Sequence, residues 1–212
     1  MKRSVLVFAL LGVLMLAGCV AEGRETPDAA GGAGPVQLGE WVSLVGLDRD
    51  EAAGASAPST YFWEGELRAC VRGVASVESP EDVGIPADSP AILRDPDGPD
   101  ARFLVCAVEV SNVSAHPWTI TQTERAAFNI SSLVALDGVG DYAYFGGTDP
   151  AMSPEWGEGL YFTLAPGQDA LFTIGFYLPA DEGHRPAALK IGDQSLFDLV
   201  PVYEQGSVGR LD

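Results

Sequence analysis

The sequence predicts an all-β protein of antiparallel strands, a sandwich or a barrel, and two observations carry the expectation. Apolar residues recur with a period of two, which is the spacing of one strand face. Turn formers bound almost every apolar run: 25 Gly and 15 Pro punctuate 212 residues, so few windows are long enough for a helix. Three runs alternate best. In RFLVCAVEVSN, Leu104, Cys106, Val108 and Val110 share a face while Glu109 and Ser111 turn to water. In AFNISSLVALDG, Phe128, Ile130, Val134 and Leu136 alternate with Asn129, Ser131 and Ala135. In ALFTIGFYLP, Phe172, Ile174, Phe176 and Leu178 stand opposite Thr173 and Tyr177. Shorter strand candidates are 37–46, 66–76, 117–122, 159–164, 187–191 and 195–202.

The amino-terminal segment reads differently. Lys2 and Arg3 precede an apolar run from Val5 to Ala17, which at 13 residues is too short to span a bilayer as a helix. A basic start, a short apolar run and small residues before a cut describe a secretory signal peptide. Leu16-Ala17-Gly18-Cys19 resembles the bacterial lipobox, in which the cysteine thiol is lipidated and the chain is cut just before it. The expected organisation is a signal peptide over 1–18, a flexible tether over 19–36, a β-sandwich over 37–204 and a tail over 205–212. The tether, VAEGRETPDAAGGAGP after Cys19, has too few large apolar residues to offset its ordering entropy. Removing 18 of 212 residues leaves 194, and losing Lys2 and Arg3 takes the formal charge from −18 to −20.

That charge, with a pI near 4.2, speaks against nucleic acid or anionic lipid headgroups as partners, because both demand clustered Lys or Arg. The expected partners are the membrane, through the lipid, and an envelope protein or small ligand. Beyond Cys19 two cysteines remain, Cys70 and Cys106. An oxidising exported compartment and an even count suggest one disulfide between them; the alternative is a pair of buried, reduced thiols.

GEWVSLVGLDRD, LRACVRGVASVES, RFLVCAVEVSNVSAHPWTI and LAPGQDALFTIGFYLP occur in an order that resembles the immunoglobulin-like domain of Gram-positive lipoproteins and of the secreted mycobacterial immunoglobulin-like antigens. In that family a strand ends in an Asn-containing turn, matched here by Asn112, and a Leu-x-Pro-Gly turn precedes a late strand, matched by Leu164 to Gly167. The resemblance covers roughly residues 37–200 and implies an immunoglobulin-like antiparallel β-sandwich exposed at the envelope. It implies no reaction. The acidic insertion at 78–101 departs from the shorter link of the family, and a loop of that length is usually either functional or disordered.

Residues with chemistry are few. Neither histidine, His116 or His184, has a nucleophile beside it in sequence, and each is followed within two residues by Pro in an expected turn. Glu64 and Glu66 have strand spacing, so a solvated pair is expected rather than a glycosidase pair. Asp95, Asp97 and Asp100 in DPDGPD are the metal candidates, with oxygen ligands suited to calcium but without the twelfth-position Glu of an EF-hand. A solvated acidic turn is the expected reading, with no cofactor. Tyr142, Tyr144, Trp156 and Tyr161 lie in an irregular Gly-rich stretch, the first choice for a binding surface. The function expected is that of a lipid-anchored, non-enzymatic binding or interaction module on the outer face of the cell membrane. The alternatives are an enzyme acting on envelope glycans and a calcium-binding structural protein.

Overall fold

A computed structural model describes residues 35–46, 63–96, 98–118, 126–130, 133–137, 142–147, 155–156, 160–192 and 195–212; Cys19 and Asp97 lie outside them. Residues Ala33–Asp212 form one compact unit. The fold is all-β, antiparallel and sandwich-like. Its largest sheet runs in the order β1 (Trp41–Val45), β3 (Glu66–Val77), β4 (Arg102–Asn112), β11 (Asp169–Leu178) and β8 (Tyr142–Gly147), and β14 (Ser207–Gly209) joins β3 beside β1. Two small sheets, β6 (Phe128–Asn129) with β10 (Leu160–Phe162) and β9 (Glu155–Trp156), and β13 (Ser195–Asp198) with β12 (Ala188–Ile191) and β7 (Val134–Leu136), supply further strands. A short pair, β2 (Trp63–Glu64) with β5 (His116–Pro117), completes the set.

The three alternating runs meet where their pattern predicts. Phe172 lies opposite Val108 and Ile174 opposite Cys106, while Val71 faces Val108 and Val74 faces Cys106. These apolar faces are buried against Phe128, Phe162, Leu189, Ile191 and Phe197 from the smaller sheets. Each such side chain contributes about 1.5–3 kcal/mol by leaving water. The run 128–136 is not one strand: Phe128–Asn129 and Val134–Leu136 belong to different sheets.

The second face of the large sheet is also covered over part of its area. Phe103 and Val105 of β4, Ala75 of β3 and Ala143 of β8 are buried there together with Ile85, with Val83 and Ile92 packed against them. Gly175 on β11 has no room for a Cβ, because the Phe103 ring lies over it. The insertion at 78–101 therefore folds back onto the sheet. Its 3-10 turn, Pro80–Val83, is opened by Asp82, whose carboxylate accepts from the Ser79 amide at 3.0 Å, and closed by Gly84 at φ 78°. Further along, Leu93 donates to the Ala143 carbonyl at 2.7 Å and Phe145 to Ala91 at 3.3 Å. These bonds occupy part of the free edge of β8, which an exposed sheet would leave open to pairing.

Asn112, at the end of β4, is fully buried. Its Nδ2 donates to the Ala115 carbonyl at 3.0 Å and to the Leu164 carbonyl at 2.7 Å, and its Oδ1 accepts from the Ala115 amide at 2.6 Å. The Leu-x-Pro-Gly turn takes the expected form. Gln168 donates to Ala165 at 3.1 Å, Pro166 sits at the second position, and Gly167 takes φ 79° at the third, as a type II turn requires. Gly167 itself donates to the Asn112 carbonyl. The two motifs thus hold one another.

Several expectations need correction. Residues 205–212 are no free tail: β14 pairs with Gly73 to Ala75, and Leu211 packs on the second face of the sheet. The strand expected over 195–202 stops at Asp198, and a helix, α1 (Val200–Gln205), follows. Pro201 lies in its first turn, where a missing amide hydrogen costs no helical bond, and Asp198 accepts from the Val200 amide at 2.9 Å. The Cys70–Cys106 disulfide is absent and both thiols are free and buried. The register explains it. Cys70 stands opposite Glu109 and Cys106 opposite Val74, so the two side chains leave opposite faces of the sheet and no bridge geometry is available.

Two outcomes follow from this architecture. Non-reducing peptide mapping of the protein should give Cys70 and Cys106 in separate peptides, each alkylated only after denaturation; one linked peptide would contradict the register. Asn112→Ala should lower stability by about 3 kcal/mol or more, since it leaves buried carbonyls and an amide without partners. Asn112→Asp should not rescue it, because a carboxylate cannot donate to Ala115 and Leu164. A urea midpoint for either variant close to that of the unsubstituted chain would refute this role.

Candidate functional site

Of the aromatic surface expected from the sequence, Tyr142 and Tyr144 do not share a face. Tyr142 and Tyr144 lie on β8, a strand of the large sheet rather than an irregular stretch, and a bulge between them sends them to opposite faces. Tyr142 packs on Phe176 at 5.1 Å between centroids, the rings tilted by 40°, and donates its hydroxyl to the Val134 carbonyl. Tyr144 packs on the second face with Ile92, and burial raises its phenol pKa. Tyr161 is exposed on β10, and Trp156 contributes backbone pairing in β9. Asp95 and Asp100 lie in the folded-back insertion. Among the described residues no three of His, Cys, Asp and Glu come together to hold a metal.

The carboxylates and histidines that drew attention in the sequence are surface groups. Glu66 accepts from Arg68 at 2.8 Å and from Ser43 at 2.5 Å, and these bonds hold its carboxyl below the ordinary value. His116 is exposed. Asp181 opens the short 3-10 turn Glu182–His184, accepting from the Gly183 amide at 2.9 Å and lying 2.7 Å from His184 Nδ1. The Gly183 bond first, and then His184, lower the Asp181 pKa.

That turn delivers Arg185 to a cleft the sequence reading did not single out. Ser76 near the end of β3, Arg102 at the start of β4, Glu182, Arg185, Tyr203 on α1 and Gly206 enclose about 210 Å³. An adjoining hollow of about 390 Å³ shares Arg102 and Arg185 and is bounded further by Glu78, Pro99, Asp100 and Ala101. Each wall has a local cause. The Ser76 amide donates to Gly206 at 2.9 Å, bringing the end of α1 against β3. Arg102 donates from Nε to the Ser76 hydroxyl at 3.3 Å and from Nη2 to the Ser76 carbonyl at 2.9 Å. The Tyr203 hydroxyl donates to the Pro186 carbonyl at 2.8 Å, and the Arg185 guanidinium lies 5.9 Å from the Tyr203 ring centroid.

The electrostatics are unusual for so acidic a chain. With 30 Asp and Glu against 12 Lys and Arg, a half-buried arginine has many carboxylates to choose from. Among the described residues Arg102 has no carboxylate within ion-pair distance and bonds Ser76. The Arg185 side chain is 14% exposed, and its closest carboxylate is Glu182 at 3.4 Å, itself 85% exposed. Its Nε is buried without a hydrogen-bond partner. Such a pair of guanidiniums can bind, through charge and planar donors, a group that carries negative charge. The scarcity of cations was visible in the sequence, but the convergence of positions 102 and 185 was not.

No protein-family model matches the chain, and neither the curated proteins nor the solved structures contain a match. The class of protein defined by fold and site is an all-β, sandwich-like domain with a polar arginine-lined cleft.

Burial pushes the Tyr203 phenol up to about 12, with Arg185 acting in the opposite direction. A phenol held neutral in the fold but ionising near 10 when unfolded stabilises fully below pH 10. That contribution fades as the pH rises through about 12. Urea midpoints between pH 9 and pH 12 should therefore fall more steeply for the unsubstituted chain than for Tyr203→Phe. Equal slopes would show that Tyr203 ionises as freely in the fold as out of it.

Proposed function

We propose that the protein is a lipid-anchored envelope protein whose immunoglobulin-like sandwich acts as a non-enzymatic binding module at the outer face of the cell membrane. Support for the anchor comes from the sequence: the basic start, the apolar run from Val5 to Ala17 and the Leu16-Ala17-Gly18-Cys19 match. The observation that carries the binding role is the cleft between Arg102 and Arg185. Its walls are donors held by backbone and packing, and no histidine lies among its described lining residues. A site of this composition recognises a ligand by charge and hydrogen-bond geometry. The acid excess elsewhere keeps a tethered domain soluble and apart from anionic surfaces.

Two measurements test the reading. Cys19→Ala should move the protein from the membrane fraction to the soluble fraction and remove the mass of the acyl chains. Stable anchoring takes more than one chain, so a diacyl adduct is expected on the native protein. A variant that stays in the membrane fraction would reject the anchor. Full-length protein in detergent, immobilised and exposed to envelope extract, should retain a component that a charge-matched, unrelated lipoprotein does not. No selective retention would reject the binding module.

A further inference from the structure

Resting on the binding-module reading, we infer that the cleft between Arg102 and Arg185 is a carboxylate-binding site. It would take a ligand with one carboxylate on an otherwise neutral or cationic body.

The inference starts from what the two arginines lack. Each guanidinium carries five donors and a permanent charge. Among the described residues Arg102 bonds the hydroxyl and carbonyl of Ser76, and Arg185 makes one long bond to the exposed Glu182 and lies over the Tyr203 ring. A half-buried guanidinium without an anion bears a desolvation cost that a tight carboxylate pair would offset. Among the described residues the only carboxylate paired with either guanidinium is the exposed Glu182, at 3.4 Å from Arg185. The charge and several donors remain available to a molecule entering the cleft.

The surrounding acids narrow the ligand class. Glu182 lines the smaller hollow, and Glu78 and Asp100 line the adjoining one. Three carboxylates at the walls disfavour a phosphate dianion or a polyanion, while two guanidiniums suit a single planar carboxylate bound through paired donors. The same acids suit an ammonium or hydroxyl groups on the rest of the ligand. A peptide carboxyl terminus and a sugar acid both supply this chemistry.

The test uses full-length protein in detergent with four probes: acetate, N-acetylalanine, glucuronate and inorganic phosphate. Each is titrated at fixed ionic strength against chloride, with melting temperature and arginine side-chain NMR shifts as readouts. The three carboxylates should raise the melting temperature saturably and shift Arg102 and Arg185 signals; phosphate should bind at least tenfold more weakly. N-Acetylalanine binding above glucuronate would identify a peptide terminus, and the reverse a sugar acid. Arg185→Gln should weaken binding at least tenfold, and Arg185→Lys, which keeps the charge but not the planar fork, severalfold. Glu182→Gln should tighten binding by removing a competing carboxylate, an effect that loss of stability would not produce. Carboxylate responses equal to chloride, or unchanged in Arg185→Gln, would overturn the site. If envelope capture persists while the anion response is missing, the site fails and the binding module stands. If the anions bind but nothing is captured, the site stands and the module fails.

Discussion

A buried amide with all three of its side-chain bonds made within the chain holds together segments that are far apart in sequence. Asn112 ends β4, receives the Ala115 amide, and donates to carbonyls at Ala115 and Leu164. Its backbone carbonyl accepts from Gly167 and its amide donates to Gln168. The turn it stabilises reaches further, since Val113 and Ser114 both donate to the Glu66 carbonyl and the Ser114 hydroxyl accepts from the Glu66 amide at 3.1 Å. Gly65, at φ 95°, passes so close to the Ser114 carbonyl that a side chain would not fit. The entries to β3 and β11 and the exit from β4 are therefore fixed at one corner. The register of the three longest strands follows from it, and a slip of one residue would send their apolar faces to water.

The cleft lies at the opposite end of β3 from that corner. It exists because Ser76 closes the strand next to Arg102 and because the chain returns after α1 to pair β14 with β3. Arg72 marks the bulge that lets β3 serve two partners on one edge, β1 opposite Glu66 to Cys70 and β14 opposite Gly73 to Ala75. Gly73 is needed there because the Arg210 carbonyl occupies the space of a side chain. Arg72 and Arg68 are paired in the ordinary surface manner, with Glu109 and Glu66. Exposed pairs of this kind add little to stability. Against that background, Arg102, bonded to Ser76, and Arg185, held by one long contact to the exposed Glu182, mark a place where charge is held in reserve.

The insertion at 78–101 shows how composition misleads about burial. Its Pro and Asp content reads as solvated, and most of its residues are indeed exposed. Yet Ile85 is buried, and Val83 and Ile92 pack beside Phe103 and Val105. A few apolar residues at irregular spacing carry no periodic signal, but they suffice to cover one side of a sheet whose central strands are apolar on both faces. The odd-numbered apolar residues of β4, Phe103, Val105 and Ala107, had already announced that second buried face. Alternation alone assigned the run one wet side and missed it.

The sequence by itself determined the strands with strict two-residue period and the type II turn at Ala165 to Gln168. In each case the physics is local: a strand's faces alternate, Pro presets one backbone angle, and Gly accepts another. What only tertiary structure decided depends on register and chain return. Parity placed Cys70 and Cys106 on opposite faces, although compartment and count had suggested a bridge. The paths of β8 and β14 were decided by a neighbour's open edge rather than by their own short, Gly-containing sequences. Arg102 and Arg185, far apart in sequence, became one site because the turn after Asp181 and the helix before Gly206 both end near Ser76 of β3. No spacing along the chain encodes that distance, since it is set by the packing of elements whose own sequences are indifferent to it.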